Sequence, residues 1–430
     1  MIERIEVYKG IVPYKFGGAA LGGAVNVVTK EYPPVYFDFS YELGSFNTHQ
    51  VSTVFKRTDK KSGLQFGIGG AFSFSKNNYK MLLSNVGNRT VERDHDTFKK
   101  IMTGMSLKAT KWWFDEMKWE LIFLKTRQEI QGIDLDVREA YNHSIIGVTA
   151  LTLKRKNFFL DGLDFDFNIG YAIGRYGLCD MAMNRYDWDG TKLPPVSPYG
   201  GEQNNFPSDG NNHSKELTSK LNLEYTIDKH HGVNLNVYFD RNSLRPKDPL
   251  MDKALGFQSN FPSRMNTLTL ALSYDLTLFE GRFQNAFTLK NYKFSSHSRS
   301  INVYSVSAPE PVSVSKSYFG FNDAMRYKLT NDWMVKASFN SEVRIPTNEE
   351  LIGNGYSILA SPALKPERTS GVNVGMMYRH LKQNGGLVEI EFNGFYNQLK
   401  DMIRFTPDLI PTMARYRNFG SVRTRGIELD

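Results

Sequence analysis

The feature that most constrains this chain is a period of two. Phe37, Phe39, Tyr41 and Leu43 alternate with Asp38, Ser40 and Glu42. Phe165, Phe167, Ile169, Tyr171 and Ile173 alternate with Asp164, Asp166, Asn168, Gly170 and Ala172. Leu268, Leu270, Leu272, Tyr274 and Leu276 alternate with Thr269, Ala271, Ser273, Asp275 and Thr277. The same pattern runs through 64–75, 217–227 and 233–240. Successive side chains of a strand point to opposite faces, so each segment has one greasy face and one polar face. Less regular segments fill 50–58, 98–110, 117–127, 146–156, 281–293, 317–329, 332–342, 369–381, 386–400 and 413–430. The total is about 16 strands, most near the ~9–11 residues that a tilted membrane strand needs.

The connections sort by length. Short ones fall at 58–61, 111–116, 157–162, 228–231, 280–281, 331–332 and 382–385. Long ones cover about 76–97, 128–145, 175–214, 243–264, 294–316 and 343–368. Past the first strand pair, short and long alternate. A transmembrane barrel has short turns at one rim and long loops at the other. A soluble all-β domain would show tight turns at both ends.

Bulk properties agree. No apolar run approaches the ~20 residues a spanning helix requires. Mean hydropathy is −0.42, as suits strands that show lipid only alternate residues. The 22 Tyr and 30 Phe are enough for interfacial girdles. Net charge is +8, but Lys and Arg are scattered and form no basic stripe or nucleic-acid motif, so nucleic acid is not an expected partner. Contact with anionic outer-leaflet lipid accounts for the balance equally well. Cys179 is the one cysteine, which excludes an intrachain disulfide; its expected setting is a loop.

Catalytic signals are lacking. Histidines at 49, 95, 143, 213, 230, 231, 297 and 380 show no metal spacing, and no G-x-S-x-G elbow occurs. No enzyme activity, catalytic residue, metal site or cofactor is expected. Asp134 with Asp136, and Asp187 with Asp189, each offer too few oxygens for Ca²⁺ alone.

One stretch points to a family. Ile5-Glu6-Val7-Tyr8-Lys9-Gly10, Phe16-Gly17 and Leu21-Gly22-Gly23-Ala24-Val25-Asn26-Val27-Val28-Thr29-Lys30 resemble the end of the plug domain of TonB-dependent outer-membrane receptors. Between two short strands, Gly17, Gly18, Gly22 and Gly23 strip away side-chain bulk and form the expected plug hinge, a segment slim enough to press inside another wall of protein. Further on, Arg344-Ile345-Pro346 with Glu350-Leu351, then Pro362-Ala363-Leu364-Lys365-Pro366-Glu367-Arg368, resemble a barrel motif of the same family. So do Phe395-Tyr396-Asn397 with Asp401 and Ile403, and Asn418-Phe419-Gly420 with Gly426-Ile427-Glu428.

The resemblance implies an all-β fold: an antiparallel transmembrane β-barrel, about 16 of roughly 22 strands, preceded by the C-terminal piece of the plug domain. Residues 1–32 would be that piece and 33–430 a partial barrel truncated at its C-terminus. The chain would be a fragment lacking its natural start, because an exported protein needs a signal peptide. The function implied is import across the outer membrane of a Gram-negative bacterium. Extracellular loops capture a scarce ligand, with a ferric siderophore or similar metal chelate favoured, and the TonB protein, acting on an N-terminal segment absent here, supplies the energy. Polar side chains facing the lumen, among them Asp38, Asp164, Asn222, Glu224 and Asn236, would hold the plug. A passive porin, an adhesin or a scaffold barrel is the competing reading, against which the plug-like tail argues. Glycan, cobalamin and haem remain open as cargo; haem is disfavoured because 347–360 contains no histidine. Aromatic faces and arginines suit a chelate or a sugar. The candidate ligand contacts are therefore Arg185, Tyr186, Trp188, Tyr199 and Phe206 in the longest loop, with Arg344.

Overall fold

The computed structural model describes residues 2–9, 23–29, 32–84, 87–132, 134–203, 206–256, 258, 261–300, 310–355, 357–381, 385–408 and 413–430. Strands β1 (Ile2–Lys9) and β2 (Gly23–Thr29) form a hairpin of their own. The wall is then built from β3 (Val35–Gly44), β4 (Thr48–Thr58) and β5 (Leu64–Ser75). A small hairpin, β6 (Tyr79–Leu83) and β7 (Arg89–Arg93), leads into β8 (Phe98–Ala109), β9 (Glu116–Glu129), β10 (Tyr141–Arg155) and β11 (Leu163–Asp180). A second one, β12 (Arg185–Tyr186) and β13 (Lys192–Leu193), and the short β14 (Ser208–Asp209) precede β15 (Asn212–Thr226) and β16 (His231–Arg245). Helix α1 (Pro249–Leu255) is followed by β17 (Ser263–Leu278), β18 (Phe283–Ser300), β19 (Glu310–Lys328) and β20 (Trp333–Arg344). Helix α2 (Asn348–Ile352) and β21 (Ile358–Leu359) precede β22 (Glu367–Leu381), β23 (Leu387–Pro407) and β24 (Ala414–Leu429).

Among the described residues, sixteen long antiparallel strands thus make a barrel. Its order brings β24 round to β3. Among the described residues, fifteen neighbouring pairs of long strands have a residue-by-residue register, whereas none is defined across this seam. The side chains of the seam strands are also strongly exposed, as at Leu43 (70%) and Leu429 (73%). The seam is therefore better described as adjacency than as a hydrogen-bonded ladder.

The wall is inside out relative to a soluble protein. Along β17, Leu270 and Leu272 are 39% and 53% exposed, while Thr269 and Ser273 are 7% and 1%. The outward face carries the apolar residues and the inward face carries buried polar ones. The inward row is continuous in register: Asp164, Glu224, Asn234, Ser273, Thr288, Asn322, Asn340, Gly371 and Asn397 lie side by side across β11 to β23. Asn222 and Asn236 lie on the same face, and the Asn222 Oδ1 accepts a hydrogen bond from Asn234 Nδ2 at 2.8 Å. Lys290 of β18 reaches Glu342 of β20 at 2.6 Å, crossing the intervening β19 at Gly320. A Cβ at Gly320 would sit 2.8 Å from Ser341 O and 3.1 Å from the Tyr292 ring. The glycine is what allows the pair to bridge over a strand.

The rims follow the expected parity, with short turns at 59–63, 110–115, 156–162, 227–230, 279–282 and 329–332 on one end; the expected turn at 382–385 lies largely outside the described residues. Several strands run further than the alternation indicates. Residues 294–300 and 310–316 are strand, not loop, paired up to Ser300 and Glu310. Likewise β11 continues through Cys179, which is a buried strand residue and not the loop residue expected. Above the greasy band both faces carry polar residues, as along Ser295 to Arg299, so the sequence shows no period-two signal even though Ser296 and Ser298 are buried and His297 and Arg299 exposed. The backbone ladder nevertheless goes on.

The leading hairpin departs from expectation in another way. Ile5 pairs with Val27 and Val7 with Val25, and all four are exposed. The opposite face is satisfied: Glu6 accepts from Arg4 and Asn26, both at 2.8 Å. Among the described residues, no wall presses on the apolar face, because a two-stranded ribbon cannot cover its own side chains. Gly17, Gly18 and Gly22 of the expected hinge lie outside the described residues, and Gly23 opens β2.

Candidate functional site

The long-loop rim is a connected crown. Glu202, 1% exposed, accepts three backbone amides of the 130–140 loop: Arg138 N (3.0 Å), Glu139 N (2.6 Å) and Ala140 N (2.7 Å). Asp180, at the top of β11 and clear of the greasy band, accepts Glu202 N at 2.9 Å and Gln203 N at 3.3 Å. Burial pushes the Asp180 carboxyl up to about 6, since a charge removed from water favours its neutral form. Asp248 caps α1 by accepting Met251 N at 3.0 Å, and also takes Asp209 N (3.0 Å) and the Ser208 hydroxyl (2.5 Å). Asn212 Nδ2 donates to Asn354 O at 3.3 Å, tying the base of β15 to the 345–366 loop. Buried carboxylates thus neutralise loop amides that have no ladder partner.

The 345–366 loop folds back into the barrel mouth. Arg344 Nε meets Glu367 at 2.5 Å, and its terminal nitrogens meet Glu350 at 3.0 and 3.2 Å. Thr347 and Glu350 form a capping box at the start of α2. The other Glu367 oxygen accepts Ile403 N at 2.6 Å. Asn418 exchanges two hydrogen bonds with the Lys365 backbone, at 2.8 and 2.9 Å. Leu351, Ile352 and Leu364 bury against Leu244, Met265 and Phe294 from the wall. The motif residues of the last quarter therefore serve as the clamp of this loop.

The expected ligand contacts separate into two groups. Arg344 is engaged in the clamp. Trp188 is 8% exposed and packs with Leu83, Val91 and Met81 under the β6–β7 hairpin. Tyr186 lies beneath the Arg138 guanidinium, 3.7 Å from its ring centroid, and Arg185 donates to Pro194 O at 2.7 Å. These four hold the crown together. Tyr199 is 47% exposed and Phe206 half-buried, both available at the surface. Sequence reasoning missed Met181 and Met183, which are also exposed; Gly201 N donates to Ala182 O at 2.9 Å, so the Tyr199 turn lies alongside them. A Met-x-Met pair in the longest loop was the available signal. The acidic pairs serve local turns and ion pairs: Asp136 meets Arg138 at 2.8 Å, and Asp189 accepts Thr191 N at 2.7 Å. Among the described residues no group of three His, Cys, Asp or Glu side chains could hold a metal.

A family model described as TonB dependent receptor-like, beta-barrel, matches residues 12–430. This chain belongs to the TonB-dependent receptor family. Its members are transport receptors, not enzymes. Solved structures share the fold at low identity. The copper transporter OprC aligns with a TM-score of 0.70 at 14% identity, covering 99% of this chain and 63% of that one. The Serratia marcescens hemophore receptor HasR, in complex with its hemophore and heme, gives 0.64 at 13%, covering 100% and 66%. The ferric yersiniabactin uptake receptor FyuA of Yersinia pestis gives 0.63 at 15%, covering 100% and 63%. The chain spans just under two thirds of the length of each. No curated protein sequence matches it.

Proposed function

We propose that this chain is the barrel-forming part of an outer-membrane receptor that captures a scarce extracellular ligand, a ferric siderophore or similar metal chelate, for import driven by TonB. The observation that carries this reading is the pairing of an inside-out wall with a rim of interlocked long loops. An outward greasy face suits hydrocarbon, and long loops suit the extracellular rim of such a barrel. Interlocking preorganises a capture surface, so little order has to be imposed when ligand binds. Tyr199, Phe206, Met181 and Met183 offer the aromatic and polarisable faces that a chelate would meet.

Residues 1–32 fit the last piece of a plug: their bare apolar face needs a cover, and the buried polar row inside the barrel is suited to gripping a movable stopper. A passive porin has no use for either. The test is uptake of radiolabelled ferric chelates by cells expressing the receptor, with and without TonB. Accumulation that depends on TonB and falls for Tyr199→Ala supports the reading. Uptake that is equal without TonB, and that falls steadily as solute size rises, overturns it in favour of a porin.

A further inference from the structure

Alternation tells a strand which way to face but not how high to sit, because a slip of two residues keeps every outward side chain outward. A tight turn fixes the height of the two strands it joins, as at 279–282 and 329–332. Two neighbouring pairs in this part of the wall have no such turn. Residues 301–309 separate β18 from β19 in the chain, and the long 345–366 loop lies between β20 and β22. Both pairs carry the same device. Lys290 of β18 faces Gly320 of β19 and crosses it to Glu342 of β20, 2.6 Å away. Lys336 of β20 faces Gly375 of β22 and crosses it to Glu391 of β23. A Cβ at Gly375 would stand 2.7 Å from Lys336 Cε, so the second lysine also passes over a gap that a glycine leaves.

These crossings hold at one height only. Along the inward face of β19 the neighbours of Gly320 are Tyr318 and Asn322; along that of β22 the neighbours of Gly375 are Asn373 and Met377. A slip of two would set one of these bulkier residues beneath the lysine and part it from its acid. The Lys290 and Glu342 side chains are 8% and 5% exposed, and among the described residues each is the other's one ion-pair partner. Parted, both would be buried charges without a counter-charge, a state far less favourable than the pair. The pair therefore acts against wrong heights even where it adds little to the stability of the right one.

We infer that Lys290–Gly320–Glu342 and Lys336–Gly375–Glu391 are register locks that position the strand from which the mouth loop departs. β20 belongs to both locks, contributing Glu342 to one and Lys336 to the other. A slip of two residues between β20 and β22 would carry Arg344 about 7 Å along the wall. Arg344 would then leave Glu367, which it faces directly, and the clamp of the mouth loop would not close. The inference concerns the wall alone and does not depend on what the crown binds.

The test reads register by disulfide trapping in the full chain, refolded in detergent on a Cys179→Ala background. Leu289 faces Phe321 and Ala337 faces Val374, so cysteines placed at either pair should cross-link. Cysteines offset by two, Leu289 with Phe319 or Asp323 and Ala337 with Val372 or Met376, should not, because their Cα atoms lie beyond the reach of a disulfide. Lys290→Met with Glu342→Leu should leave a folded barrel, judged by heat-dependent gel mobility, yet raise the offset product of Leu289 about ten-fold. Nicking within 353–366 should rise with it. The exchanged pair, Lys290→Glu with Glu342→Lys, should restore the original pattern. Lys336→Ala and Gly375→Ala should each raise the offset product of Ala337, more weakly because Lys336 is 38% exposed. Offset products no higher than without these changes, or a rise that the exchanged pair fails to suppress, would overturn the inference. If the first double variant does not fold, the Lys336→Ala and Gly375→Ala products decide alone: a rise supports the locks and no rise overturns them.

Discussion

Two parts of the crown are fastened by different chemistry. The loops at 130–140 and 181–211 are held by carboxylates that accept neutral backbone amides, with Glu202 and Asp180 at the centre. The mouth loop at 345–366 is held by charge against charge, Arg344 between Glu350 and Glu367. A carboxylate on amides pins whichever backbone presents the donors and leaves the side chains free to vary. An arginine fork fixes two particular acids and hence one geometry. The first suits a capture surface whose outer residues change with the ligand; the second suits a segment that must sit in one place inside the barrel.

Breaking the charge clamp should have the largest effect. Arg344→Ala strands two largely buried carboxylates and should cost about 2–3 kcal/mol, less than a fully buried pair because Arg344 is partly solvated. The readout is the unfolding midpoint of the folded barrel together with proteolytic nicking within 353–366. Arg344→Lys should recover only part of the loss, because a point charge cannot serve both acids. Full recovery would show that geometry is irrelevant here.

Glu202→Gln keeps the shape but weakens three charge-assisted bonds, for a loss of about 1–2 kcal/mol. Faster hydrogen exchange should appear at Arg138, Glu139 and Ala140, and not in the 345–366 loop. Spread of the effect to that loop would show that the two fastenings are one unit.

Asp180 gives the comparison a pH axis. Its carboxyl sits at about 6 in the fold against an unfolded value near ~3.9. A raised value means that the stabilising form is the protonated one. Its contribution is full below about pH 4 and is lost as pH rises through about 6. Exchange at Glu202 and Gln203 should therefore slow on acidification across that window, and Asp180→Asn should flatten the dependence. The mouth loop should show no such change between pH 5 and 7, since Arg344 stays charged there, despite burial, held upward by its bonds to Glu367 and Glu350.

The smallest effect is expected at Asp248→Ala, about 1 kcal/mol from the lost helix cap. It should loosen α1 and the Ser208 turn, as followed by exchange at Met251 and Asp209. An effect as large as that of Arg344→Ala would mean that α1 anchors the whole rim.

Much of this was legible in the residues. Sixteen strands, the greasy and polar faces, and the sorting of turns from loops all follow from period-two alternation, because a strand's two faces are fixed by its backbone alone. The family was readable from the stretch ending at Lys30 and from the motif around Pro346 and Pro366. Strand ends were not readable at 294–300 and 310–316, where largely polar residues occupy both faces although burial still alternates, as at Ser296 and Ser298 against His297 and Arg299.

The sequence by itself set the wall, since each strand carries its own inward and outward pattern. Tertiary structure alone decided which side chains of the crown are fastenings and which are free. Arg344, Tyr186 and Trp188 have the chemistry of ligand contacts, yet they meet Glu367, Arg138 and Leu83 from distant segments. Glu202 grips Arg138 across 64 positions, a distance over which local periodicity carries no information. Only the side-by-side pairing of the long strands brings such partners to one rim.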